Sequence, residues 1–442
     1  MSRTGEESRA DGAGRQGVRH AKHAIFRLAT YGTAVKAHLS STMNATSASA
    51  NLAPVSDPAT HPRDMAFDYL KATVVLMVVA HHSCLAYTTF AHFDPANYLN
   101  STAPVVDTAR WQFFDYAENF NDVFFMSLMF FISGLFVWRS LQRSGVVAFT
   151  RGRLLRLGVP FAVGVLLLMP LASYASWQLT GRDAGYLAYW RQDILHERFP
   201  GPLWFVWLLL FFDILAAGVF IAWPRRIGAM PRLWTKRKPL AAAAAMFGVC
   251  AVVYLPALKA FGWAWGAFFI APFYFQLSRF GLYLVWFAAG VWLGSDDLEL
   301  GLLARDGTLA RHWRRWVLAC FVAYNLLVLP IGLEAVGLLT ATQRGTLYAF
   351  LWVVSCVASC FGFLALFRGA VGTRRRWMDS LARTAFIIYI VHYVYVVWLQ
   401  RALMGVDCHA SLKFLAVFTG ATLFSWLTAQ CLLAFTWLRK VL

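Results

Sequence analysis

The 442-residue chain carries 40 Lys and Arg against 22 Asp and Glu, a net charge of +18, yet only 14% of its residues are charged and 59% are hydrophobic. With a mean hydropathy of +0.54 this balance excludes a soluble globular domain. Long apolar runs recur along the chain and read as an all-α, polytopic membrane helical bundle lying in a lipid bilayer. The positive charge then belongs to loops retained on one side, and with no nucleic-acid-binding motif present no nucleic-acid partner is expected.

Residues 1–63 are polar, rich in Ser, Thr, Ala and Gly, and read as a disordered cytoplasmic N-terminal extension. They lack the short apolar core and small-residue cleavage site of a secretory signal, and a start at Met43 or Met65 would begin the membrane part more economically. Residues 64–442 form the membrane domain, with about ten spans near the ~20 residues that a bilayer requires. The expected spans are 67–90, 119–138, 154–174, 203–223, 240–261, 279–295, 316–336, 345–367, 382–402 and 412–436. The apolar stretch "LPALKAFGWAWGAFFIAPFYF" between the fifth and sixth is a further candidate to enter the membrane.

The connections alternate in charge. One set holds Arg139, Arg143, Arg151 and Arg153, then Arg225 to Lys238, then Arg368 to Arg383, and the chain ends in Arg439 and Lys440. The other holds Asp94, Asp107, Asp115, Glu118, Asp183, Asp193 and Glu197 with few basic residues. The positive-inside rule places both termini in the cytoplasm, in agreement with an even number of spans. The seven Cys lie mostly inside apolar runs without CxxC or zinc spacing, so neither a disulfide framework nor a metal site is expected.

The first span, "FDYLKATVVLMVVAHH", carries Asp68 and Lys71 at its start and His81 and His82 beyond its middle. Lys71 and His82 stand eleven residues apart, a rise of roughly 16 Å that returns to within about 20° of one direction on an α-helix. Asp68 falls within about 40° of His82 on the same geometry, so the three form one polar stripe and His81 points off it. Ionisable groups inside a span are costly and face a bundle interior or a wet cavity. His82 is therefore either a neutral histidine bonded to a neighbouring helix or a site residue. Asp68 and Lys71 are either a helix-start ion pair near the headgroups or part of that site.

Four further segments stand out. In "FFISGLF" Ser133 and Gly134 bring small residues to mid-span, where tight helix packing is the ordinary use. "RGRLLRLGVP" sets Arg153 and Arg156 at the cytoplasmic mouth of the third span, as snorkelling topology signals or as a fork for phosphates. "GPLWFVW" opens the fourth span. "FIIYIVHYVYVVW" places Tyr389 and His392 in the ninth.

Taken in order, these segments resemble the acyltransferase 3 family of integral membrane acyltransferases. That family starts its first helix with an aspartate and an arginine and has a histidine eleven positions after the arginine. Lys71 stands here for the arginine, keeping the charge and losing the two-point fork. "FFISGLF" is similar to its FF-x-x-SG segment, "RGRLLRLGVP" to its RR-x-x-R-[IL]-x-x-P with Gly152 at the first arginine, "LWFVW" to its LWFL and "IYIVH" to its YLVH. "RLGVPFAVGVLLLMPL" and "GPLWFVWLLLFFDIL" are most like the branch linked to succinyl transfer onto osmoregulated periplasmic glucans.

The resemblance implies an inner-membrane O-acyltransferase that moves a succinyl or acetyl group from cytoplasmic acyl-CoA, its co-substrate, to a hydroxyl of an extracytoplasmic glycan. No tightly bound cofactor is implied. His82 would be the general base or a transient acyl carrier, with Asp68 and Lys71 ordering the entrance. Arg153 and Arg156 would hold donor phosphates beside Ser133, and His392 and Tyr389 would support His82 from the ninth span. A donor route of this kind asks that Arg153, Lys71 and His82 line one cavity. The competing expectation is a transporter or exporter using the same stripe as a proton or substrate path, although the paired broken helices of two related halves are not visible. A third is a structural subunit without activity.

Overall fold

The computed structural model describes residues 64–182, 185–196, 199–223, 238–267, 271–299, 301–436 and 438. The N-terminal extension over residues 1–63 lies outside them. The described chain folds into ten long helices: α1 (Met65–Leu85), α2 (Gln112–Gly134), α3 (Val137–Thr180), α4 (Gly201–Ala222), α5 (Pro239–Phe261), α6 (Leu277–Ser295), α7 (Trp313–Ala335), α8 (Ala341–Ala370), α9 (Arg376–Leu403) and α10 (Ala410–Ala434). Each expected span has its helix. Eight are long and apolar enough to cross a membrane on composition alone; α1 and α2 have the length but carry the ionisable residues described below.

Three boundaries differ from the expectation. Helix α2 begins at Gln112, so Asp115 and Glu118, expected in a loop, lie on its first turns. Helix α3 begins at Val137, so Arg139, Arg143, Arg151 and Arg153 stand on helical turns rather than in a connection, with a kink between the two pairs at Gly145, whose φ is 74°. It crosses Pro160 and Pro170 by widening into π turns over Leu154–Gly158 and Gly164–Leu168, just before each proline removes a backbone donor. The apolar stretch after α5 is not a further span: Trp265–Ala267 pairs antiparallel with Tyr274–Gln276, with Trp265 opposite Gln276.

Helices α1, α2, α6 and α9 surround the functional region. Between α2 and α6 the backbones nearly touch. A Cβ on Gly134 would strike the backbone of Phe287 and Val291, and one on Gly290 would strike that of Phe131, so "SG" in α2 is there for close approach. Helix α1 is clamped to α9 at both ends. Tyr69 donates from its hydroxyl to Asp379 Oδ1 at 2.8 Å and accepts from the Arg375 amide at 2.8 Å, while Gln400 Nε2 donates to the His82 carbonyl at 2.9 Å.

Each end of the bundle has its own electrostatic seam. At the basic end Arg368 is 3% exposed and bonds both Asp64 and Glu299, joining the end of α8 to the start of α1 and the α6–α7 connection. At the opposite end Lys413 of α10 meets both oxygens of Asp107 at 2.8 Å, with the two residues 2% and 3% exposed. Asp107 belongs to the α1–α2 connection, and its own amide donates to the Ala86 carbonyl at 3.0 Å. The ion pair thus pins that connection down. Lys413→Met strands a buried carboxylate and is expected to cost about 3–5 kcal/mol in detergent-solubilised unfolding. The double variant Asp107→Leu/Lys413→Met is expected to recover most of that loss; a single variant that melts like wild type would show that the pair does not hold the connection.

Candidate active site

A cavity of about 670 Å³ opens among α1, α2, α6 and α9 toward the end that carries the Asp107–Lys413 pair. Its floor is Val78, His81 and His82 of α1 with Phe125 and Met126 of α2. Its roof comes from the α1–α2 connection, Tyr98 to Thr102, and one wall from Trp204 and Trp265. A pocket of this size with aromatic walls and a few convergent polar groups is what binding a small organic moiety requires.

Two adjacent histidines reach the cavity because neighbours on two sides of α1 are polar. His81 faces α2, where its Nε2 stands 3.8 Å from Glu118 Oε1. His82 faces α9, its ring centroid 5.4 Å from that of His392 and 5.1 Å from that of Tyr393. The two imidazoles sit edge to face at 5.1 Å. The stripe geometry set His81 aside; the structure puts both rings on the same cavity.

Glu118 has company one helical turn further along α2. Asp122, at the i+4 position and therefore on the same face, takes the guanidinium of Arg279 in a two-point fork, with Nη1 to Oδ1 at 2.7 Å and Nη2 to Oδ2. Arg279 opens α6, is 4% exposed, and lies 5.0 Å above the Trp352 ring. The pair keeps two opposite charges in the protein interior by giving each a partner. Glu118, Asp122 and Arg279 all line the cavity and were not singled out in the sequence. The signal that could have found them is the acidic (i, i+4) spacing just ahead of the apolar run "VFFMSLMFF".

The ninth-span residues are where the sequence put them. His392 is fully buried; its Nδ1 lies 2.7 Å from the Tyr389 carbonyl. Tyr389 lines the cavity and donates its hydroxyl to the Pro202 carbonyl, tying α9 to the start of α4.

The remaining expected residues lie elsewhere. Asp68 and Lys71 sit in the first two turns of α1, at the basic end, half-buried and outside the cavity lining. Arg153 is not in the lining either. Its Nε stands 3.3 Å from Oδ2 of Asp213, a carboxylate on α4 with no exposure, and its guanidinium lies 5.0 Å above Phe149. Asp213 was hidden in "LFFDIL", where a lone carboxylate in an apolar run is the signal. Arg156 is exposed one turn on, and Ser133 is half-buried next to the Gly134 contact. The cavity therefore gathers His82 and Tyr389 with His81 and Glu118, and His392 packs behind His82; it does not join His82 to Lys71 or Arg153.

Fold and cavity together define a multi-pass membrane protein with a histidine-lined chamber near one face. The acyltransferase 3 family model, an acyltransferase domain, matches residues 65–430, so the chain belongs to this family and is a membrane acyltransferase. It is similar to glucans biosynthesis protein C of Salmonella gallinarum (strain 287/91 / NCTC 13346), 24% identical over 351 residues that cover 75% of this chain and 82% of that protein. No solved structure matches the chain.

The geometry predicts sided access. In a background with the seven native cysteines replaced, Ser101→Cys in the cavity roof is expected to react with a membrane-impermeant maleimide added to intact spheroplasts. Lys71→Cys is expected to stay unlabelled until the membrane is permeabilised. The reverse pattern would invert the topology.

Proposed function

We propose that this protein transfers an acyl group, succinyl or acetyl, from cytoplasmic acyl-CoA to a hydroxyl of an extracytoplasmic glycan such as a periplasmic glucan, across the inner membrane. The observation that carries the reading is the placement of His81 and His82 in an aromatic-walled cavity toward the non-basic end of the bundle. Family membership supplies the reaction class, and the name of the similar Salmonella protein points to a glucan as acceptor.

In this reading His82 is the general base. It takes the proton of the acceptor hydroxyl as the oxygen attacks the thioester carbonyl. The new C–O bond forms, the C–S bond breaks, and the departing thiolate receives that proton from the imidazolium. Histidine suits both transfers because its intrinsic pKa lies near neutrality. Glu118 stands beside His81, its Oε1 3.8 Å from the His81 Nε2. Trp204 and Trp265 offer flat apolar faces to a sugar ring. At the basic end Arg153 exchanges Asp213 for a donor phosphate, with Arg156 beside it and Lys71 and Asp68 bordering the entrance. Ser133 lies next to the tight α2–α6 contact at Gly134, which brings the two helices together beside the acyl passage.

The test is mass spectrometry of extracytoplasmic glycans from cells carrying the wild-type gene, His82→Ala, or no gene. A mass addition present only with the wild type is expected, and its size names the acyl group. In purified protein His82→Ala is expected to lower transfer by about 10²–10⁴-fold, the usual contribution of a positioned base. An addition that survives His82→Ala removes His82 from the chemistry, and glycans identical in all three strains favour the transporter.

A further inference from the structure

Among the described residues three charged side chains line the cavity, and two of them hold each other: Asp122 and Arg279 close a two-point fork. Glu118 is the third, and its carboxyl has no hydrogen-bond partner among them. It faces His81, with Oε1 3.8 Å from Nε2. That is too long for a hydrogen bond, which ends near 3.2 Å. His81 is 8% exposed, and its other ring nitrogen, Nδ1, is buried without a partner among the described residues. Both side chains line the cavity. An oxygen about 2.8 Å from each of the two facing atoms would meet them at an angle of ~85°, which a single oxygen can bridge. A hydroxyl has one hydrogen to give and two lone pairs to receive one. It completes the pair whichever of the two is the donor, accepting from one and donating to the other. A carbonyl or an ether oxygen only accepts and cannot do both.

We infer that the cavity binds its acceptor through two neighbouring hydroxyls of one sugar ring: His82 addresses the hydroxyl that is acylated, and His81 with Glu118 holds the one beside it. This rests on the reading of His82 as general base. The ligand class is a polyol ring with adjacent hydroxyls, such as a hexopyranose. Adjacent hydroxyl oxygens on such a ring stand about 3 Å apart, one hydrogen-bond length. The two imidazoles sit edge to face at 5.1 Å on successive residues of α1, close enough to serve two such oxygens. A step of about 100° along the helix turns one ring toward α2 and the other toward α9, so adjacent histidines can hold adjacent hydroxyls from two sides. Trp204 and Trp265, in the wall of the same cavity, offer apolar faces to the C–H side of the ring. A sugar held by one hydroxyl alone turns about that bond. The second contact fixes the direction of the attacking oxygen, and fixed orientation is a large source of rate. Asp122 and Arg279 do not compete for the hydroxyl, because each is engaged by the other. Their fork joins α2 to α6 one turn beyond Glu118 and so holds that carboxyl opposite His81.

The test crosses enzyme variants with substrate variants. The detergent-solubilised full chain is given succinyl-CoA or acetyl-CoA and methyl β-glucopyranoside, or the same sugar lacking its 2-, 3-, 4- or 6-hydroxyl. Removing the reacting hydroxyl abolishes transfer in every form of the protein. Removing the hydroxyl beside it is expected to lower wild-type kcat/KM by about 100-fold or more, because the polar pair built to hold it is left unpaired. In Glu118→Ala and in His81→Phe that same removal is expected to matter by no more than about threefold, the contact being already lost. A wild type indifferent to every neighbouring hydroxyl overturns the inference. So does either variant that keeps the full preference together with the wild-type melting temperature. A role of Glu118 and His81 in folding alone would lower activity on all the sugars equally and leave the preference intact. Where neither variant folds, the wild-type preference decides. If the wild type acylates no sugar, the proposed reaction falls, and saturation-transfer NMR with the same five sugars still decides the subsite. The parent glucoside then has to bind the wild type about tenfold more tightly than one deoxy sugar, a difference absent in Glu118→Ala.

Discussion

Hydrocarbon gives a charged side chain nothing to bond, so each ion carried into the bundle has to bring its partner from another helix or open onto water. That constraint sets the register of this protein. Arg279 of α6 meets Asp122 of α2, Arg153 of α3 meets Asp213 of α4, and Arg368 of α8 meets Asp64 before α1. Sliding any of these helices by one turn, about 5.4 Å, would strand both members of a pair. The close approach of α2 and α6 at Gly134 and Gly290 adds a steric register to the electrostatic one. Together they hold the α1–α2–α6–α9 group around a chamber that no single helix could define.

Much of this architecture is readable from the sequence because the bilayer writes it in one variable. A span must be apolar for about 20 residues, and a helix is the form that satisfies its own backbone there. A helix stands at each of the ten expected spans, and eight of them are long and apolar enough to cross a membrane. The errors fall where the variable fails. Helix α2 starts with Asp115, Glu118 and Asp122, and its polar first turns read as a loop because hydropathy does not ask which face of a helix a charge occupies. Residues Val137 to Arg153 read as a basic connection for the same reason, although they are an amphipathic length of α3.

The site was half legible. His82, His392 and Tyr389 follow from their positions within apolar runs and from family resemblance, and the structure puts them side by side. His81 was set aside because the stripe argument supposes that a helix has one wet face. Helix α1 has two, one toward Glu118 on α2 and one toward His392 on α9, and only the packing of three helices reveals that. The Asp122–Arg279 and Arg153–Asp213 pairs are separated by long stretches of sequence, and pairing of that kind leaves no periodic trace. The hairpin that brings Trp265 to the cavity is concealed by its apolar composition, which reads equally well as membrane.

One feature of α1 bears on how an enzyme could work from both faces of a membrane. Lys71 and His82 occupy opposite ends of the helix, and the residues between them include Ala72, Val74 and Val75, each 2% exposed or less. The cavity descends from its own end to Val78 and stops. A chamber continuous from Arg153 to His82 would let water and ions follow the substrate through the bilayer. An acyltransferase with donor and acceptor on opposite sides therefore needs a packed barrier between its two half-sites, crossed only by the narrow acyl arm. The half-site at Arg153 and the histidine chamber are separate among the described residues, so the single cavity joining Arg153, Lys71 and His82 that the donor route asks for is not formed.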